Sequence, residues 1–256
     1  MGDGPGSKGL ADKVVIVTGG SQGVGLGISR AFLREGARVV TCARSDFATC
    51  PAAETDDERA RSMHVQADIR DDEQIDRVLT QTYDRFGRLD VLVNNAGGQP
   101  PADIAKASPR FIRKIIDINL TAPMIFAAKA YNAMTEAGGG GSIINISSQA
   151  SMPIGGASMV PYGAAKAGLN HMTRSLAVAW GRTVRVNCVS LGWVETEAMA
   201  ELLLPENREQ WQETLDKIPV GRMGTPDEIG GICVFLASDA ASYINGATIW
   251  TDGGGT

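Results

Sequence analysis

The sequence alternates along its whole length between short runs of branched apolar residues and longer stretches with helical periodicity. The runs Val14–Val17, Leu89–Val93 and Val184–Val189 are typical, and strands so rich in Val and Ile are usually buried on both faces of a sheet. Parallel strands need crossover connections, which are usually helices. The sequence therefore predicts an α/β fold, a single-domain doubly wound Rossmann fold with a parallel sheet of about seven strands and helices on both faces.

The other predicted elements follow the same alternation. Strands are also expected at Arg38–Cys42, Met63–Gln66, Ser142–Ile146 and Ala247–Trp250. Helices are expected at Gly25–Glu35, Asp71–Phe86, Ser108–Thr135 (with Pro123 opening a new segment), Tyr162–Trp180 and Pro226–Leu236. We expect a flexible tail over residues 1–10 and one domain over residues 11–256. Its irregular segment at residues 193–219 is long enough to form a substrate lid.

Composition excludes several classes of function. The chain has 24 basic and 29 acidic residues, a net charge of −5, whereas general nucleic-acid binders carry a basic excess. The apolar runs are too short to cross a membrane, and the first ten residues show no signal-peptide core. We therefore expect a cytoplasmic protein that binds neither nucleic acid nor membrane. Two histidines, and four cysteines without a Cys-x-x-Cys pair, predict no metal site.

A glycine-rich segment, residues 18–25 with the sequence TGGSQGVG, lies between the first predicted strand and the first predicted helix. Its glycine spacing is G-x-x-x-G-x-G rather than the common G-x-G-x-x-G, and the Gly-Lys-Ser/Thr of a P-loop is missing. Glycines let the backbone turn sharply and approach a diphosphate, whose charge is stabilised at the helix N-terminus. The segment predicts a dinucleotide site, and a plain strand-to-helix turn is the alternative.

The end of the second predicted strand bears on the choice of cofactor. About twenty positions after such a loop, an acidic residue binds the ribose 2′-hydroxyl of NAD, whereas an Arg accommodates the 2′-phosphate of NADP. Here Ala43 occupies the expected acidic position and Arg44 follows it. A guanidinium binds phosphate through two parallel hydrogen bonds. We predict NADP(H); NAD(H) is the alternative if Arg44 is only a solvated surface residue.

These and further motifs resemble those of the short-chain dehydrogenase/reductase family, in the family's order and over residues 12–256. After the glycine loop they are Asp68, Asn94–Gly97 (NNAG), Asn119, Asn145–Ser148 (NISS), and Tyr162 with Lys166 (YGAAK). One departure is Leu191-Gly192, where the family usually has Pro-Gly. We expect a less rigid backbone there, which bears on the roles of Val194 and Thr196.

The spacing of Tyr162 and Lys166 places both side chains on one helical face. Reducing a ketone needs a hydride from the nicotinamide and a proton from the protein. Tyr162 can donate that proton if its pKa falls from its usual value near 10, and a neighbouring ammonium is expected to lower it. Ser148 would hydrogen-bond the substrate oxygen, and the resemblance favours it over Ser147. By resemblance, Asn119 binds a water that relays protons to Lys166, which also binds the nicotinamide ribose.

The resemblance implies a complete set of site residues. The catalytic residues are Asn119, Ser148, Tyr162 and Lys166. The cofactor-binding residues are Gly19, Ser21, Gln22, Gly23, Val24, Gly25, Arg44, Asp68, Ile69, Asn95, Ala96, Gly97, Tyr162, Lys166, Val194 and Thr196. Within this set, Asp68 is expected to contact the adenine, Asn95 to hold the fold near the adenosine ribose, and Val194 and Thr196 to bind the carboxamide.

The expected function is an NAD(P)-dependent oxidoreductase that transfers a hydride between the cofactor and a secondary alcohol or ketone. Residues 193–219 predict a hydrophobic small-molecule substrate because of their apolar side chains, Met199, Leu202, Leu203, Leu204 and Trp211. Reduction of a 3-oxoacyl thioester of carrier protein or coenzyme A is an alternative within the family. However, residues 195–216 carry seven acidic residues and one basic one. A non-catalytic dinucleotide-binding protein is an alternative from another class.

The resemblance also implies a homotetramer or homodimer. The helices Ser108–Thr135 and Tyr162–Trp180 would form one interface and the last strand another. Small residues that allow close helix approach are Ala127, Ala128, Ala130, Ala164, Ala165 and Ala167.

Overall fold

The computed structural model of the chain describes residues 9–136, 139–152, 157–199 and 208–255. Seven parallel strands form one sheet in the order β3-β2-β1-β4-β5-β6-β7. The strands are β1 (Val14–Thr18), β2 (Arg38–Ala43), β3 (Ser62–Gln66), β4 (Val91–Asn94), β5 (Gly141–Ser148), β6 (Val184–Leu191) and β7 (Thr248–Thr251). From β1 the chain winds outward to β3 and then returns to β4 on the other side of β1. This order confirms the predicted doubly wound sheet.

Helices cover both faces of the sheet. They are α1 (Gly23–Arg34), α2 (Asp56–Ala60), α3 (Asp72–Phe86), α4 (Pro109–Ile116), α5 (Ala122–Thr135), α6 (Val160–Trp180), α7 (Arg208–Asp216) and α8 (Pro226–Ala237). Within the described ranges, none of them combines the length and the apolar character needed to cross a membrane.

The apolar residues form two cores, one on each face of the sheet. Phe32 of α1 and Val234 of α8 belong to the first core, while Ile75 of α3 and Phe126 of α5 belong to the second. All five residues of β1 are buried, because helices cover both of its faces. Burying such side chains contributes about 1.5–3 kcal/mol each. This two-sided burial is the physical reason for the unbroken Val and Ile runs of the sequence.

The predicted long helix at Ser108–Thr135 is interrupted. A π-helical turn at Asp117–Thr121 separates α4 from α5, and Pro123 lies in the first turn of α5. In the π-turn, the Asn119 Nδ2 atom donates a hydrogen bond to the Ile115 carbonyl at 2.9 Å. A side chain that takes the carbonyl four residues back competes with the backbone for it and locally widens the helix.

Candidate active site

A cavity of about 1390 Å³ lies at the carboxyl ends of the strands. It extends to both sides of the boundary between β1 and β4, where the chain continues from β1 toward β2 on one side and from β4 toward β5 on the other. Ligands of open α/β sheets bind at such a point. Arg44 and Asp68 line the part of the cavity at the ends of β2 and β3, whereas Ser148 and Tyr162 line the part at the end of β5. All the predicted site residues line this cavity except Asn119, which is completely buried. The structure therefore brings the predicted residues together.

The glycine loop is built for close contact with a ligand backbone. Gly19 and Gly23 have φ angles of 64° and 51°, in the left-handed region that favours glycine. A Cβ on Gly25 would lie only 2.1 Å from the Gly19 carbonyl oxygen. The Asn95 Nδ2 atom donates to the Thr18 carbonyl at 2.9 Å, which ties the loop to the end of β4. Asn95 thus joins the loop to the end of β4, and its place near the adenosine ribose stays a prediction.

The N-terminus of α1 faces this loop and has no side-chain cap from its own N-cap residue, Gln22. Helix N-terminal amides attract anions because their N–H groups are unpaired and the helix dipole is positive there. In the structure the Glu197 carboxylate accepts a hydrogen bond from the Gly23 amide at 3.1 Å. The sequence gives no signal for this contact, since 174 positions separate the two residues.

At the β2–β3 end of the cavity, Asp68 is paired with Arg70. The Arg70 Nε atom lies 2.9 Å from Asp68 Oδ1, and this guanidinium is the main reason why the pKa of Asp68 is lowered. Arg44 is exposed and acts on Asp68 only through a weaker Coulomb interaction. Within the described parts of the chain, no ion pair joins Arg44 to Asp46 or to another carboxylate. Its guanidinium is therefore available to a ligand.

At the β5 end, the side chains predicted to be catalytic meet. The Lys166 Nζ atom donates to the Ile146 carbonyl at 2.8 Å and lies 5.5 Å from the centre of the Tyr162 ring. Burial raises the pKa of Tyr162, and a hydrogen bond with Ser148 opposes that rise. Ser147 instead is buried and donates to the Lys166 carbonyl at 3.3 Å. The geometry thus favours Ser148 over Ser147 as the partner of Tyr162.

The pKa directions correct one expectation. Burial raises the pKa of Tyr162, and the Ser148 hydrogen bond only partly opposes this effect. Burial also lowers the pKa of Lys166 to about 8. The predicted lowering of the Tyr162 pKa by Lys166 is therefore not found. The physical reason is that desolvation disfavours the charged form of both groups at once.

Asn119 lies behind the cavity wall with both ends of its side-chain amide engaged. Its Oδ1 atom accepts from the Gly98 amide at 2.9 Å, and its Nδ2 atom donates to the Gly98 carbonyl at 3.0 Å. The side chain therefore clamps the loop that follows β4. A water relay from Asn119 to Lys166 stays a prediction.

Backbone hydrogen bonds join the end of β6 and the segment after it to neighbouring parts of the chain. Leu191 belongs to β6 and pairs with Ser148 on one side and Thr251 on the other. Beyond it, the Gly192 amide donates to the Thr251 carbonyl at 3.1 Å, and the Glu195 amide donates to the Gly224 carbonyl at 2.9 Å. A less rigid backbone at Leu191-Gly192 stays a prediction.

The predicted lid is partly described. The rings of Trp193 and Trp211 meet edge to face, with centroids 5.0 Å apart, and Trp193 and Met199 line the cavity. Trp211, Leu215 and Ile218 are all at least partly buried, so they pack α7 against the domain. Leu202, Leu203 and Leu204 lie outside the described residues. A lid function of residues 193–219 stays a prediction.

Such a sheet, with a glycine loop at its switch point and a serine, a tyrosine and a lysine at one end of the cleft, defines a dinucleotide-dependent oxidoreductase. A family model described as enoyl-(acyl carrier protein) reductase matches residues 19–256. The chain is 36% identical to L-fucose dehydrogenase of Oryctolagus cuniculus over 248 residues, 95% of this chain and 85% of that protein. It is also 36% identical to L-rhamnose 1-dehydrogenase (NAD(P)(+)) of Azotobacter vinelandii over 251 residues, 96% of this chain and 97% of that one.

Among solved structures, a short chain dehydrogenase from Bacillus anthracis superimposes with a TM-score of 0.84 at 34% identity, covering 95% of this chain and 96% of that one. The chain belongs to the short-chain dehydrogenase/reductase family.

Proposed function

We propose that the protein is an NADP(H)-dependent oxidoreductase that transfers a hydride between the nicotinamide and a secondary alcohol or ketone. The observation that carries this proposal is the convergence of Ser148, Tyr162 and Lys166 at one end of a cavity whose other end presents Arg44. A non-catalytic binding protein has no need of this convergence.

The residues present fit a dinucleotide. The N-terminus of α1 suits a diphosphate, and Gly25 leaves no room for a side chain at the loop. Ile69 and Asp68 line the part of the cavity assigned to the adenine. Arg44 supports NADP(H) over NAD(H), since Ala43 supplies no carboxylate and Arg70 holds that of Asp68. Val194 and Thr196 would face the carboxamide end.

Each catalytic side chain has a distinct task. When bound, the nicotinamide supplies or accepts the hydride. In the reducing direction Tyr162 donates a proton to the substrate oxygen, and Ser148 hydrogen-bonds the same oxygen and stabilises its developing charge. Lys166, with its pKa near 8, is mostly protonated at neutral pH. Asn119 would anchor the water that returns a proton by way of Lys166.

The substrate side of the cavity favours a ligand with an apolar face. Trp193, Met199 and Pro100 line the cavity, and the Trp193 side chain is 37% exposed. An aromatic face of this kind packs against aliphatic and sugar rings alike. The two relatives named above act on L-fucose and L-rhamnose by their names, so cyclic alcohols and sugars both belong among the candidate substrates. The acidic character of residues 195–216 weighs against the thioester alternative.

A homodimer or homotetramer formed through α5 and α6 is part of the proposal. Of the alanines expected at this interface, Ala127, Ala130 and Ala165 are buried within the chain's own core, so they cannot contact a second copy. The alanines that remain exposed are Ala128, Ala164 and Ala167. Light scattering at micromolar concentration tests the proposal, and a monomer would contradict it. A cytoplasmic location likewise stays a prediction.

The test is a turnover screen with NADPH and with NADH, followed by the near-ultraviolet absorbance of the reduced nicotinamide. The panel contains cyclic ketones and alcohols, L-fucose, L-rhamnose and a 3-oxoacyl thioester. We expect turnover of a cyclic member of the panel, faster with the phosphorylated cofactor. Turnover of the thioester alone would favour the thioester reductase. Tight cofactor binding without any turnover would favour a non-catalytic protein.

A further inference from the structure

The helix that carries Tyr162 and Lys166 begins without a cap of its own. The first amides of any α-helix have no partner inside the helix. In α3, α4 and α8 the local residues Asp71, Ser108 and Thr225 fill this role. In α6 the N-cap residue Met159 makes no side-chain cap hydrogen bond. The Tyr162 amide, in the first turn, therefore needs an acceptor from elsewhere.

Gln99, in the loop after β4, supplies that acceptor. Its Oε1 atom accepts a hydrogen bond from the Tyr162 amide at 3.1 Å. Its Nε2 atom donates to the Ser158 carbonyl at 3.0 Å. A carboxamide presents an acceptor and a donor on one group, and here the two atoms join the backbone on both sides of the start of α6. The two residues that matter most, Gln99 and Tyr162, are 63 positions apart in the chain.

The loop that presents Gln99 is itself fixed. Gly98 has a φ angle of 129°, a conformation open to glycine alone. Both backbone polar atoms of Gly98 are bonded to the side chain of Asn119. In addition, the Ala102 amide donates to the Ser158 carbonyl at 2.9 Å. Asn119 thus fixes Gly98 through two hydrogen bonds, and the next residue in the chain, Gln99, accepts the hydrogen bond from the Tyr162 amide.

We propose that Gln99 is a positioning residue for the reaction: it fixes the first turn of α6 and thereby the placement of the Tyr162 phenol relative to Ser148. This inference rests on the proposed role of Tyr162 as proton donor. Proton transfer requires the donor within hydrogen-bond reach of its target. A displacement of about 1 Å costs up to about a hundredfold in rate. Gln99 is not among the residues that line the cavity, so its effect on the reaction passes through Tyr162.

Two substitutions separate its contacts. Gln99→Met has a side chain of similar length but neither an acceptor nor a donor for these partners. Gln99→Glu keeps an acceptor for the Tyr162 amide and loses the donor to the Ser158 carbonyl. We expect kcat to fall about tenfold in Gln99→Met, with the cofactor Kd unchanged, and most of kcat to return in Gln99→Glu. Equal impairment of both variants, or full activity of Gln99→Met, would overturn the proposal.

A double-mutant cycle distinguishes positioning from a merely structural role. In a Tyr162→Phe background the phenol is gone, so Gln99→Met should leave the residual kcat unchanged. If the same tenfold loss persisted in that background, Gln99 would act independently of Tyr162 and the proposal would fail.

A third measurement needs no turnover. In cofactor-free protein, Gln99→Met should accelerate hydrogen exchange of the Tyr162 amide measured by NMR, whereas Gln81→Met on the exposed face of α3 should not. Unchanged exchange would show that the contact is not made, and would contradict the proposal. Accelerated exchange in a protein that turned over no substrate would support the Gln99 contact and contradict the proposed oxidoreductase function.

Discussion

Two helices begin at the same cavity, and their first turns are completed in different ways. The N-terminus of α1 faces the cavity, and the Gly23 amide there donates to the Glu197 carboxylate. The N-terminus of α6 is closed from within the protein by Gln99. Neither helix has a side-chain cap from its own N-cap residue. Under the proposed function, an uncapped first turn would have two uses in one molecule: as a binding site for an anion, and as an attachment point that holds a catalytic side chain.

The two starts also differ in how they are encoded. The α1 site is built from backbone groups of one contiguous segment, residues 18–25, in which the spacing of glycines creates the geometry. The start of α6 is held by Gln99 and Asn119, which come from separate loops and turns. Substitutions near the N-terminus of α1, the α1 side, should therefore change cofactor affinity. Substitutions near the N-terminus of α6, the α6 side, should change turnover and the dependence on pH.

The largest effect on cofactor affinity is expected for Gly25→Ala. The added Cβ would lie 2.1 Å from the Gly19 carbonyl oxygen, so the loop must shift and its amides lose their alignment with a diphosphate. Cofactor affinity, measured by fluorescence titration, should fall about a hundredfold, equivalent to about 3 kcal/mol. Gly231→Ala is the control, because an added Cβ there meets nothing within 4 Å. Unchanged affinity in Gly25→Ala would refute a binding site at this loop.

On the α6 side, burial of Lys166 should be visible in the pH dependence of stability. Its pKa is about 8 in the folded protein, against 10.5 as the ordinary value. Between these pH values the unfolded chain retains a proton that the folded protein has lost, so the free energy of unfolding should rise with pH. Relative to Lys166→Met, the wild type should gain on the order of 3 kcal/mol from pH 8 to about pH 10.5. Urea unfolding at several pH values measures this gain. Parallel profiles of the two proteins would contradict the lowered pKa.

Arg44→Ala tests the far end of the α1 side. A charge-assisted hydrogen bond to the 2′-phosphate contributes about 1.5–3 kcal/mol, so the Michaelis constant for NADPH should rise about tenfold to a hundredfold. The Michaelis constant for NADH should stay almost the same. Ala43→Asp is the complementary variant and should shift the preference toward NADH. If the wild type used NADH better than NADPH, Arg44 would be a solvated residue.

The smallest effect is expected for Glu197→Gln. A carboxylate at a helix N-terminus is stabilised by about 0.3–1 kcal/mol, and it occupies an amide that the diphosphate also needs. Neutralising it should tighten cofactor binding about twofold to fivefold. Glu195→Gln, an exposed neighbour, should have no such effect. Weaker binding in Glu197→Gln would mean that Glu197 supports the cofactor site and does not compete for it.

The sequence predicts features built from one contiguous segment better than features built from residues far apart in the chain. Elements with contiguous signals were predicted correctly, including the strands, the glycine loop and the Tyr162–Lys166 pair on one helical face. The π-turn was not, since it depends on where the Asn119 amide finds a carbonyl. The contacts of Gln99 and Glu197 join residues far apart in the chain, and no local pattern marks them. The pKa of Tyr162 was predicted in the wrong direction because burial, which opposes ionisation, is not visible in residue spacing.

The most direct test of the proposed chemistry is the separation of cofactor binding from turnover in Tyr162→Phe. The substitution removes one hydroxyl at the start of α6 and leaves the α1 side untouched. Turnover should fall about a hundredfold or more, the usual contribution of a positioned acid, while NADPH affinity by fluorescence titration stays nearly the same. Tyr243→Phe, on a fully exposed tyrosine, should match the wild type in both measurements. Full turnover in Tyr162→Phe would show that another group donates the proton.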